Sequence, residues 1–149
     1  MKQNCNIDKI VAYYTKKFNT RDPELIAREL GIKIVIKPLG DILGHYIYAK
    51  RFKWIFINED IIGNETLVKI VMAHELGHAI LHSNQKCYFI AHRTLMLVAK
   101  FERQANIFAA HLLIDDEMLK SYAGYTEEQF CNCTGYPKEL VGLRIGYQK

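Results

Sequence analysis

Apolar and polar positions follow two different periods along this chain, and the changes between them divide it into three stretches. Apolar residues at Ile7, Ile10, Val11, Tyr14 and Phe18 recur at helical spacing. Asp22-Pro23 then supplies a cap and a first-turn proline for a second helix, which Gly31 closes after Leu30. The pattern turns strand-like in Ile32 to Ile36, ended by Pro38 and Gly40. It does so again in Tyr46 to Ala49 and Trp54 to Ile57, both rich in aromatic and branched residues. The short gap from Lys50 to Lys53 predicts a hairpin between these two.

Helical spacing returns from Glu65 onward. Thr66 to Leu81 is apolar nearly all the way round, which predicts a central, buried helix. A second long helix is expected from about Thr94 to Leu113. A shorter one, capped by Asp115 or Asp116, should run through Ala123. Thr126 and Gln129 have the spacing of a capping box, and Pro137 can start a last helix through Ile145. The expectation is an α+β fold in which a small, mostly antiparallel sheet packs on the buried helix and further helices follow. At 149 residues the chain is expected to form one domain, 1–149.

The buried helix contains His74-Glu75-Leu76-Gly77-His78. Residues four apart are neighbours on a helix surface, so His74 and His78 can clasp one ion, while Glu75 can hold a water and take its proton. A catalytic zinc site usually has three protein ligands. His82 cannot be the third, because roughly 12 Å of continuous helix separates it from His74. A metzincin would need a histidine at Asn84 and a glycine at Leu81. Glu102, on the second long helix, is the best candidate, with small Ala105 and Ala109 on its face and Asn106 one turn on to orient a ligand. Asp115, Asp116 and Glu117 are alternatives whose other reading is helix capping. His82 reads as a partly exposed histidine ending its helix, or as a substrate contact or donor behind a ligand. His45, His92 and His111 read as structural or surface residues. Tyr88, His92 and Tyr122 are candidates for stabilising an oxyanion, and Trp54 to Ile57 for holding substrate by strand addition.

Composition narrows the partners. A net charge of +4 is mildly basic, but Lys9, Lys16, Lys17, Arg21 and Arg28 are interleaved with Asp8, Asp22, Glu24 and Glu29, which describes a solvated mixed face. Asp22 to Ile32 opens like a helix-turn-helix, yet a strand pattern follows where a recognition helix would be needed. No direct nucleic-acid contact is expected. No run reaches the roughly 18 apolar residues of a membrane span, and no apolar segment follows Met1 to Asn6, so a cytoplasmic protein with no membrane contact is expected. Cys131 and Cys133 lack the two-residue spacer of metal and redox motifs, and Cys5 and Cys87 stand alone; all four read as buried or incidental thiols.

The chain resembles the ImmA/IrrE family of metallo-endopeptidases, of the phage or mobile-element type. The likeness is carried by Met72 to His82 and by Glu102-Arg103-Gln104-Ala105-Asn106-Ile107-Phe108-Ala109-Ala110. Weaker support comes from Thr20-Arg21-Asp22-Pro23, Ile26-Ala27, Leu30-Gly31-Ile32, Ile57-Asn58, Tyr136-Pro137 and Leu140-Val141. The resemblance implies a zincin-like fold with a gluzincin-type site: zinc on His74, His78 and Glu102, and Glu75 as catalytic base. It also implies an endopeptidase that cleaves a helix-turn-helix repressor and so relieves repression. The alternative is a catalytically weak zinc protein that controls a repressor by binding it.

Overall fold

The computed structural model describes residues 6–83 and 95–146. Helix α1 spans Ile7–Phe18 and ends at Asn19, whose left-handed backbone returns its N–H to Thr15. Helix α2 spans Pro23–Glu29; the Asp22 carboxylate accepts from the N–H groups of Glu24 (2.8 Å) and Leu25 (3.3 Å). Strands β1 (Lys33–Lys37), β2 (Gly44–Ala49) and β3 (Phe52–Asn58) follow, then a single 3-10 turn, Glu59–Ile61. The remaining helices are α3 (Glu65–Leu81), α4 (Leu95–Leu113), α5 (Asp116–Ser121), α6 (Glu127–Thr134) and α7 (Lys138–Gly146). Asn64, Asp115 and Thr126 cap α3, α5 and α6, the last through a complete capping box with Gln129. The class is α+β, as the pattern of elements predicts.

The sheet departs from expectation in one respect. Its order is β1-β3-β2, so β3 lies in the centre, antiparallel to β2 and parallel to β1. It is a mixed sheet, not a mostly antiparallel one. The β2–β3 hairpin is tighter than the four-residue gap suggested: only Lys50 and Arg51 form the turn, with φ of 53° and 68°. Positive φ at both central residues matches the right-handed twist of the flanking strands. Buried Asn58 fixes the β1–β2 connection by donating from Nδ2 to the carbonyls of Gly40 and Ile42, each at 3.0 Å.

One sheet face, carrying Ile55 and Ile57, packs with Ile26 and Ala27 of α2 onto α3. The opposite side of α3 meets α4, the most extensive helix pair among the described residues. They approach closely at Gly77. A Cβ there would lie 3.2 Å from the Cα and carbonyl oxygen of Ala105 and from the Cβ of Phe108. Two arginines finish α4. Arg21 Nη1 donates to the carbonyls of His111 (2.9 Å) and Leu112 (3.0 Å), and Arg144 Nε to that of Ile114 (2.7 Å). They satisfy acceptors that the end of a helix leaves without an internal partner.

The Gly77 contact sets the sign of a substitution. Glycine to alanine inside a helix ordinarily gains about 0.5–1 kcal/mol. Gly77→Ala should instead lose about 1–3 kcal/mol, because the added methyl meets backbone that cannot rotate away. The urea midpoint measures this, and a value at or above wild type would contradict the close approach.

Candidate metal centre

Packing α4 against α3 at Gly77 brings Glu102 over the two motif histidines. Nε2 of His74 lies 3.1 Å from Nε2 of His78. The Glu102 carboxylate spans the pair, Oε2 at 3.1 Å from His74 and Oε1 at 3.0 Å from His78. Four-coordinate zinc with bonds of about 2.0–2.1 Å holds its donors about 3.3 Å apart, so the spacing fits one small cation. The donor chemistry fits as well. Nδ1 of His74 faces Oδ1 of Asn106 at 2.7 Å, an acceptor for a proton on Nδ1, which would leave Nε2 free to offer a lone pair to a cation. Two such nitrogens and a carboxylate repel one another unless a cation or protons lie between them. Among the described residues, this is the one cluster of histidine, cysteine and carboxylate side chains with such spacing.

Charge within the cluster follows from these contacts. Without a cation, protons on the two rings take its place, and their hydrogen bonds hold the Glu102 carboxyl well below the usual carboxylate range, although the side chain is half-exposed. Burial alone would lower the His74 pKa, but Glu102, Glu75 and Asn106 together raise it. Glu75 is buried, 7% exposed, and burial pushes its carboxyl pKa up against the opposing pull of His74 and His78. The backbone N–H of Tyr46, on β2, donates to Glu75.

That contact requires strand β2 to lie against α3, and Gly44 permits it. A Cβ at Gly44 would overlap the Val71 side chain and lie 3.2 Å from Cγ of Glu75. The strand starts at Gly44, two residues before the Tyr46 expected from the aromatic and branched pattern, and a glycine in a strand is the sequence signal of such a close backbone approach. The strand expected to border the cleft, Trp54 to Ile57, lies in the central β3, with both edges already paired. The outer strand β2 is the one beside Glu75.

His82 also differs from expectation. It ends α3 but is buried, not partly exposed, and its ring lies against Phe101 with centroids 4.4 Å apart. Its Nδ1 is 3.1 Å from Nδ1 of His78, and its Nε2 is 2.9 Å from Oε1 of Gln104. The alternative carboxylates are engaged elsewhere: Asp115 caps α5 and pairs with Arg21, Asp116 pairs with Arg144, and Glu117 pairs with Lys120. Of the oxyanion candidates, Tyr88 and His92 lie outside the described residues. Tyr122 packs edge-on against Tyr125 and Phe130. Cys133 is exposed and Cys131 half-buried, while Cys5 and Cys87 lie outside the described residues.

A zincin-like fold with this donor set defines a class, and comparison with known proteins agrees with it. Residues 27–134 match the Peptidase M78 family model, the IrrE N-terminal-like domain. The chain belongs to that family and is a metallopeptidase. It is 36% identical over 132 residues to "Uncharacterized immunity region protein 2" of Bacillus phage phi105, an alignment covering 87% of this chain and 82% of that one. It is 34% identical over 95 residues to "Metallopeptidase ImmA" of Bacillus subtilis strain 168, covering 61% of this chain and 54% of that protein. No helix among the described residues is long and apolar enough to cross a membrane.

The two remaining described histidines lie elsewhere. His45 is exposed on β2, its pKa lowered by partial burial and by the charges of His78 and Lys37. His111 is buried near the end of α4. Burial, then the Arg144 charge, push its pKa down to about 4, with Asp8 and Asp116 opposing. The folded state therefore holds His111 neutral where an unfolded chain, near 6.5, takes up a proton. The resulting stability is complete above about pH 6.5 and is lost as pH falls toward 4. With metal removed by chelator, wild type should lose more denaturant resistance between pH 7 and pH 4.5 than His111→Gln. Equal losses would contradict a buried neutral His111.

Proposed function

We propose that this chain is a zinc-dependent endopeptidase that cleaves a helix-turn-helix repressor of the genetic element encoding it. The observation that carries the catalytic part is the meeting of His74, His78 and Glu102 at ligand spacing with Glu75 beside them. The repressor part rests on the family and on the relative from a phage immunity region.

His74, His78 and Glu102 would hold the zinc. When bound, it supplies Lewis acidity, polarising the scissile carbonyl and making the attacking water easier to deprotonate. Glu75 does the proton work. Its raised pKa makes the carboxylate a stronger base than an exposed glutamate, so it can take the water's proton as the new C–O bond forms. The same oxygen can return that proton to the leaving amine as the C–N bond breaks. The Tyr46 N–H holds the carboxylate in place during both transfers. Outer strand β2 is placed to align a substrate backbone beside Glu75.

Glu75→Gln tests the assignment, because the base is not a ligand. The variant should bind zinc like wild type and lose at least about 100-fold in cleavage of the repressor encoded beside it. Zinc content and repressor proteolysis in cells co-expressing both proteins are the readouts. Relief of repression that survives in a zinc-loaded Glu75→Gln protein would favour control by binding instead.

A further inference from the structure

We propose that His82 is a positioning residue for His78, and that Gln104 holds His82 in the tautomer this requires. The inference rests on the metal-site reading above and extends it to two residues outside the ligand set.

Counting protons along the contacts leads to it. A histidine that offers Nε2 to a cation keeps its proton on Nδ1, and that N–H needs an acceptor. For His74 the acceptor is the Asn106 amide oxygen. For His78 it is Nδ1 of His82, 3.1 Å away. That atom accepts only if the His82 proton is on Nε2, and Nε2 faces Oε1 of Gln104 at 2.9 Å. An amide oxygen cannot donate, so it selects this tautomer. The opposite tautomer would set two N–H groups against each other and leave the Gln104 oxygen facing a lone pair. In the assigned arrangement each N–H meets one acceptor, from His78 through His82 to Gln104.

The surroundings fix the ring that makes this link. His82 closes α3 with its own N–H on the His78 carbonyl at 2.9 Å, so backbone and side chain tie it to the same residue. Phe101 covers the ring and excludes water from a site only 6% exposed. Helix α4 thus acts on all three candidate ligands. It supplies Glu102, orients His74 through Asn106, and orients His78 through Gln104 by way of His82.

The test separates an acceptor at Nδ1 from mere volume. In His82→Asn the amide oxygen falls where Nδ1 now lies. In His82→Gln the amide nitrogen approaches the place of Nε2, but no acceptor faces His78. His82→Leu removes both. Zinc affinity of the full chain, measured by competition with a chromogenic chelator, should stay within about threefold of wild type for His82→Asn and fall about 10–100-fold for His82→Gln and His82→Leu. Gln104→Leu should weaken zinc several-fold, while Gln104→Glu, which keeps an accepting oxygen, should not. This second pair decides the matter should the His82 variants fail to melt cooperatively. Unchanged affinity throughout, or equal loss in His82→Asn and His82→Leu, would overturn the proposal. Wild-type protein that binds no zinc would overturn the metal-site reading itself, a result distinct from any difference among variants.

Discussion

Helices α3 and α4 meet backbone to backbone where Gly77 faces Ala105, and this approach assembles the candidate site. No side chain separates them there, and a Cβ at Gly77 would lie 3.2 Å from the Cα and carbonyl oxygen of Ala105. Glu102 lies less than a turn before Ala105, so its carboxylate then spans His74 and His78. Asn106 and Gln104 arrive with the same helix. A wider separation would leave each histidine with its α3 neighbours alone, and the carboxylate in water. The glycine between the two histidines is thus a packing residue, required for the approach of α4.

The site works against apo stability at two places. Two lone-pair nitrogens and an ionised carboxylate converge within 4.8 Å, a repulsive arrangement unless a cation or protons intervene. Glu75 is buried with a raised pKa, which costs desolvation whenever it ionises. The scaffold offsets this with an apolar core on both sides of α3, from Ile55 and Ile57 on the sheet side to Phe108 on the α4 side. Arg21 and Arg144 add to it by satisfying the last carbonyls of α4, so the helix bearing Glu102 is fixed at both its middle and its end.

Much of the candidate site was legible in the sequence because its signals are local. The i, i+4 histidines, the caps at Asp22 and Thr126, and the small residues following Glu102 each act within a few turns of helix. What was not legible depends on contacts between residues far apart in the chain. Strand order cannot be read from strand pattern, so the insertion of β3 between β1 and β2, and with it the strand beside Glu75, came only with the fold. His82 looked like a half-exposed helix end because its cover, Phe101 and Gln104, comes from another helix. Arg21, read as part of a charged face, instead reaches α4 carbonyls about ninety residues away.

Metal content of the purified chain after zinc is supplied, measured by mass spectrometry beside Glu102→Ala, tests the candidate centre itself. A three-ligand centre should hold about one zinc per wild-type chain and much less in the variant, which keeps only two of the three protein ligands usual for such a site. Wild type that retains no zinc, or a Glu102→Ala protein that retains as much as wild type, would contradict a centre built from His74, His78 and Glu102.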